Sequence, residues 1–88
     1  LAGARFSLES PSTRIGRHPD SEIMLDDITV SRRHAEIIRR ETGHEILDSG
    51  SLNGTYVNQT RIEATVLQHG DEVQIGKFHL VYFERNDG

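Results

Sequence analysis

The chain has 88 residues, no cysteine, and ten Lys and Arg against fourteen Asp and Glu, a net charge of −4. A domain this small buries only about 60% of its unfolded surface, so a deep catalytic cavity is disfavoured and function belongs on surface loops. The acidic balance argues against a general nucleic-acid binder, the missing cysteines exclude disulfides and thiolate metal sites, and no apolar run approaches the ~18 residues of a membrane span.

The elements follow a period near two. Phe6 and Leu8 alternate with Ser7 and Glu9, as in a half-buried strand. Gly16 marks a strand end from which Arg17 projects, and "HPDS" supplies a turn. Ala35 and Ile37 resume the alternation after the polar cluster "VSRRH", and "ETGH" divides them from Ile46 and Leu47. In "DSGSLNG", Asn53-Gly54 has the form of a tight hairpin turn between strands ending near Asp48 and starting near Tyr56. "QHGDE" precedes Val73 and Ile75. "IGK" separates these from Phe78, Leu80 and Tyr82, a run apolar on both faces. "ERNDG", residues 84–88, is expected to fray. No window of about 11 residues holds a helical stripe, so the reading is all-β: one domain over residues 1–88, an antiparallel sandwich of two packed sheets.

Three polar clusters stand out. Arg17 alone reads most simply as a solvated surface arginine. "SRRH" adds a hydroxyl at Ser31, guanidiniums at Arg32 and Arg33, and a ring at His34. Two loops offering Arg and Ser near a bend suit a tetrahedral dianion, since arginine forks give charge-assisted hydrogen bonds and hydroxyls and backbone N–H groups reach the remaining oxygens. The third cluster is "DSGSLNGTYVN", whose plainest reading is the hairpin turn. Taken one at a time, none is specific.

Other chemistries fail on inspection. Ser31 and His34 lie three apart at a strand start without a nucleophile-elbow motif. From Asp48, the third, fifth and twelfth positions of a calcium loop would be Gly50, Leu52 and Gln59. The histidines at 18, 34, 44, 69 and 79 lack metal-ligand spacing, and Gly76-Lys77 lacks the rest of a P-loop. Asn53-Gly54-Thr55 and Asn58-Gln59-Thr60 are formal glycosylation sequons with nothing beside them to indicate secretion. "RRHAEIIRR" carries four arginines without interleaved aromatics. No cofactor or metal is expected.

Gly16-Arg17, Ser31-x-x-His34, Ser51-x-Asn53-Gly54-Thr55, Gly70-Asp71 and Ile75-Gly76 occur in that order. In that combination the chain resembles a forkhead-associated (FHA) domain from about Arg5 to Phe83. "GRHPDSEIMLDDITVSRRHAEI" and "DSGSLNGTYVN" look most like short actinobacterial FHA proteins that bind and regulate metabolic enzymes. The resemblance implies an FHA/SMAD-like sandwich whose loops at one end bind phosphothreonine peptides in Ser/Thr-kinase signalling, in the cytoplasm and without catalysis. By motif position, Arg17 would grip the phosphate and Ser31 would hydrogen-bond it. Arg32 would add a second charge or a backbone N–H. Ser51, Leu52 and Asn53 would complete the peptide-binding set, with Asn53 on the peptide main chain. Gly16 and Gly54 would form tight bends, and His34 would buttress the Ser31 loop.

Two departures follow from the same resemblance. Many members carry Thr where Leu52 stands, so a side-chain contact to the phosphopeptide is lost or replaced by a backbone N–H. "LAGARF" looks like the turn and second strand of the pattern, so the first strand is expected to be missing. That leaves the final strand, Phe78–Glu84, with an apolar edge inviting dimerisation or swapping. The expected partner is a phosphothreonine protein, a Ser/Thr kinase or its substrate, and neither nucleic acid nor membrane. The rival readings are a phospho-independent interaction domain on the same fold and a small hydrolase built on Ser31 and His34.

Overall fold

Alternating apolar residues on short strands dictate two sheets that share one core. The computed structural model describes residues 4–84. The first three residues of "LAGARF" and all of the expected frayed tail except Glu84 lie outside them. β1 (Ser12–Gly16), β2 (Ile23–Met24), β3 (Ala35–Arg40), β4 (Gly43–Asp48) and β7 (Ala64–Val66) form a sheet in the order β2-β1-β3-β4-β7. β5 (Thr55–Val57), β6 (Thr60–Ile62), β8 (Glu72–Ile75) and β9 (Phe78–Val81) form the other, ordered β6-β5-β8-β9. All pairs are antiparallel except the two-residue parallel contact of β1 with β2.

Inward residues of both sheets make the core. Ile15, Ile37 and Ile46 come from the larger sheet and Val57, Val73 and Ile75 from the smaller, closed by Leu25, Val30, Leu67 and Tyr82. Each such side chain contributes about 1.5–3 kcal/mol relative to leaving it exposed. The period-two reading of Val73 and Ile75 is the buried face of β8.

Three expectations need correction. Residues 4–9 form no strand, although Phe6 and Leu8 alternate. Alternation makes a strand only where a ladder partner is available, and this segment is tied by side chains instead. Arg39 Nη1 donates to the Glu9 carbonyl at 2.8 Å, and His44 Nε2 donates to the Leu8 carbonyl at 3.0 Å. Asn53-Gly54 is no hairpin either, because β4 and β5 belong to different sheets and the chain crosses between them. Two-residue hairpins lie instead at Glu41-Thr42, Gly76-Lys77 and Asn58-Gln59, the last with both residues at positive φ (50° and 69°) between β5 and β6. Finally, the last strand ends at Val81. Tyr82 turns to the β7–β8 loop, donating its N–H to Asp71 and accepting that of Gly70. β9 is an outer strand of its sheet, with Val81 exposed.

Candidate functional site

Register brings the separated motifs to one end of the sandwich. Ile15 pairs with Ala35 and Ala35 with Asp48, so the chain after β1, before β3 and after β4 emerges side by side. In the other sheet Thr55 pairs with Ile75, which places the Gly76-Lys77 turn at the start of β5. The Lys77 N–H donates to Thr29 Oγ1 at 3.0 Å, joining that turn to the β2–β3 loop.

His34 is the post of this end. It is 0% exposed, its Nδ1 accepts the Ser31 N–H at 3.0 Å, and its Nε2 donates to the Gly54 carbonyl at 2.8 Å. A backbone amide only donates and a carbonyl only accepts, so these partners require the Nε2–H tautomer. Its own carbonyl accepts the Ser49 N–H at 2.9 Å. Both ring nitrogens are therefore engaged, and neither is available as a base for the Ser31 hydroxyl. The hydrolase reading fails on that geometry.

Arg17 leaves β1 with its backbone N–H on the Ser31 carbonyl at 3.0 Å and Nε on the Val30 carbonyl at 3.1 Å. Its guanidinium has no carboxylate partner among the described residues, unlike Arg14 (Glu22), Arg33 (Asp20), Arg40 (Glu45) and Lys77 (Asp27). Ser31 Oγ accepts the Leu52 N–H at 3.0 Å and gives its proton to no described residue. A half-buried cation and a hydroxyl with a free proton thus hang from the same two-residue backbone. Arg32 is exposed and unpaired in the same sense, whereas Arg33 turns to Asp20 through two bonds of 2.7 and 3.0 Å. That pairing holds the Asp20 carboxyl down to about 2.

The β4–β5 loop is built around Asp48. Its Oδ2 accepts the N–H groups of Gly50 and Ser51, both at 3.0 Å. Its Oδ1 accepts the Ser51 hydroxyl at 2.5 Å and that of Thr55 at 2.7 Å. Burial pushes the Asp48 pKa up, but these donors outweigh it and leave the carboxyl below its ordinary value. Ser51, expected among the peptide-binding residues, is 8% exposed, and its Oγ also accepts the Gly54 N–H at 2.9 Å. Its hydroxyl is engaged inside the loop. Asn53 is exposed and donates from Nδ2 to the Thr29 carbonyl at 3.0 Å, leaving its second amide proton and Oδ1 for other partners. Leu52 points away from the core, and its N–H is the one bound to Ser31, so it is not free to replace a threonine hydroxyl.

The glycines differ from the expected pair of bends. Gly16 ends β1 without a positive φ, but a Cβ there would stand 2.1 Å from the Arg32 carbonyl oxygen. Close approach, not a bend, requires glycine. Gly54 does adopt φ +89°, and its Cβ would also meet Arg61 Nε at 2.9 Å.

Thr29, Asp27 and Asp48 are the supports that the motifs did not flag. Asp27 Oδ2 accepts both the Thr29 hydroxyl (2.5 Å) and N–H (2.9 Å), and its Oδ1 meets Lys77 at 3.1 Å. These partners, Thr29 first, hold the Asp27 carboxyl down to about 2. The available signals were Asp27-x-Thr29 and Asp48-x-Gly50-Ser51, the spacing at which a carboxylate caps the amide two or three residues on. Beside Asn53 an open recess of about 360 Å³ runs past Tyr56, Gln74 and Lys77. A larger cleft of about 1010 Å³ lies elsewhere, between residues 4–9 and β9, and gathers mostly apolar side chains such as Phe6, Leu80 and Phe83.

The family model described as the FHA domain matches residues 13–76. The chain belongs to the FHA-domain family. It is 61% identical over 83 residues to an oxoglutarate dehydrogenase inhibitor of Corynebacterium diphtheriae, covering 94% of this chain and 58% of that protein. It is 62% identical over 82 residues to the glycogen accumulation regulator GarA of Mycolicibacterium smegmatis, covering 92% and 51%. The FHA chain thus spans a little over half the length of these curated relatives. Among solved structures, one from a study of phosphothreonine-dependent FHA domain interactions superposes with a TM-score of 0.91 at 32% identity, covering 97% of this chain and 88% of that one. No helix among the described residues is long and apolar enough to cross a membrane.

Proposed function

We propose that this FHA domain is a phosphothreonine-peptide binding module of Ser/Thr-kinase signalling and acts by recognition, not catalysis. The observation that carries the reading is Arg17. Its charge has no carboxylate partner among the described residues, and it is fixed along Val30–Ser31 beside a hydroxyl that still has a proton to give. A phosphate brings about −1.5 to −2 charges and three acceptor oxygens, which suit a guanidinium, a hydroxyl and loop N–H groups together. Arg32 lies next to Ser31 and supplies a further exposed cation. In this reading Asn53 holds the peptide main chain, and Ser51, Gly16, His34 and Gly54 keep the loops in place. The regulator and inhibitor names of the relatives support a binding role. In this reading the partner is a phosphothreonine protein, a Ser/Thr kinase or its substrate.

One peptide titrated in four forms tests this: phosphothreonine, phosphoserine, unmodified threonine and glutamate. Phosphothreonine should bind tightest. Phosphoserine, lacking the methyl, should lose roughly 1–3 kcal/mol if the loops close on that group. Glutamate offers one charge and two coplanar oxygens and should barely bind. Equal affinity for phosphothreonine and threonine would overturn the phosphate reading and promote phospho-independent binding.

A further inference from the structure

Of the three asparagines in the chain, Asn53 alone is followed by glycine. An asparagine before glycine carries its own nucleophile. The next backbone nitrogen can attack the side-chain carbonyl carbon, and glycine puts no Cβ in the way. In that step the bond from Gly54 N to Asn53 Cγ forms and the Cγ–Nδ2 bond breaks. Ammonia leaves with the proton that the Gly54 nitrogen gives up. Water then opens the cyclic imide at either carbonyl, leaving aspartate or isoaspartate. Asn53 is exposed, so water and base reach it. Asn58 is exposed too, but it precedes Gln59, whose side chain hinders the attack.

The fold restrains both reacting groups. Gly54 is buried, and its N–H donates to Ser51 Oγ at 2.9 Å. The Ser51 hydroxyl gives its own proton to Asp48 Oδ1 at 2.5 Å, which leaves its oxygen to act toward Gly54 as an acceptor. Burial disfavours the amide anion, and a hydrogen bond made by the protonated form disfavours it further. The nucleophile is therefore suppressed. On the other side, Asn53 Nδ2 donates to the Thr29 carbonyl at 3.0 Å. That bond removes the freedom with which an intramolecular attack finds its alignment.

We infer that Asn53-Gly54 is a latent deamidation site and that Ser51, oriented by Asp48, is the residue that protects it. The protection stands apart from the phosphothreonine reading, and only its consequence for binding rests on that reading. Aspartate at position 53 loses the donor to the Thr29 carbonyl and sets a carboxylate against that oxygen. Isoaspartate also lengthens the backbone of the loop. Either product places a negative charge where an incoming phosphate would have to settle. Ser51 thus keeps the site chemically intact without touching a ligand.

The test ages four samples together in mildly alkaline buffer: the unaltered domain, Ser51→Ala, Ser51→Thr and a synthetic peptide spanning residues 49–57. Conversion at position 53 is read by mass spectrometry as NH2 replaced by OH, with fragmentation separating it from position 58. The peptide should convert about 10- to 100-fold faster than the unaltered domain. Ser51→Ala, with the circular-dichroism spectrum of the fold, should convert about 3- to 10-fold faster, and Ser51→Thr, which keeps the acceptor, should stay slow. A domain that converts as fast as the peptide would overturn the inference, as would a folded Ser51→Ala that converts no faster than the unaltered domain. Deuterium exchange at the Gly54 N–H checks the bond without any variant. It should be slow, and exchange at the peptide's rate would overturn the role of Ser51. Asn53→Asp, the aged product made directly, should bind phosphothreonine peptide at least about tenfold more weakly. Unchanged binding there would remove Asn53 from the peptide contacts and leave the protection standing.

Discussion

His34 Nε2 donates to the Gly54 carbonyl at 2.8 Å across 20 residues of sequence, while Nδ1 of the same ring accepts the Ser31 N–H. One buried imidazole thus joins the two loops that carry the candidate phosphate and peptide contacts. Replacing it by alanine leaves an orphaned donor, an orphaned acceptor and a cavity. His34→Ala should therefore cost about 3 kcal/mol, read as a lower urea midpoint with unchanged slope. Phosphopeptide affinity should fall as well, because Ser31 and Gly54 lose their common anchor.

Arg17→Ala should behave differently. The side chain makes one hydrogen bond among the described residues, to the Val30 carbonyl, so stability should change by no more than about 1 kcal/mol. Loss of a charge-assisted contact should weaken phosphopeptide binding by about 10- to 100-fold. Ser31→Ala should cost less in affinity, since a neutral hydroxyl bond is weaker. Calorimetry paired with a thermal melt separates the effects. An Arg17→Ala domain that folds normally and binds as before would place the phosphate elsewhere.

Asp48 predicts a pH dependence with a definite sign. Its folded-state pKa lies below the unfolded value of about 3.9, because four donors favour the charged carboxylate. The stability it contributes is thus fully present above the unfolded pKa and is lost as pH falls through the folded one. Asp48→Asn keeps the shape but removes charge and acceptor capacity. The melting-temperature gap between the unaltered domain and this variant should be widest near pH 7 and should narrow progressively below about pH 4. A gap that is constant down to acid pH would show that the carboxylate charge does not organise the loop.

The sandwich was legible because burial alternates along β8 and along the start of β3, and alternation is a local property of sequence. Arg17, Ser31 and Asn53 were legible through their motif order, and the register of Ile15, Ala35 and Asp48 explains how that order becomes one site. What escaped depends on distant partners. The Asn53-Gly54 dipeptide encodes a positive φ, but not which sheet the next strand joins. Thr29 meets Asn53 through a backbone carbonyl, which every residue possesses, so only the Asp27-x-Thr29 spacing hinted at its place in the site. Phe6 and Leu8 have the right period without a ladder to join.

Gly16 and Gly50 make a paired test of why glycine is needed at this end. Gly16 has no positive φ, yet an added Cβ would fall 2.1 Å from the Arg32 carbonyl oxygen and 2.9 Å from its carbon. Both are backbone atoms, so relief requires moving the Ser31–Arg32 segment away from β1. That movement would also pull at the bonds from Arg17 N–H to the Ser31 carbonyl and from His18 N–H to the Arg32 carbonyl. Gly50 is the converse: φ is +81° and a Cβ would meet nothing within 4 Å. Gly50→Ala should cost about 1 kcal/mol in backbone strain and leave phosphopeptide affinity nearly unchanged. Gly16→Ala should cost about 2–3 kcal/mol and weaken binding by about tenfold or more, because the strain is discharged into the loop that carries Ser31. Denaturant titration and peptide calorimetry on the two variants check the pair. If Gly16→Ala is the milder of the two, or if it binds as before, the close contact with Arg32 does not set the position of the Ser31 loop.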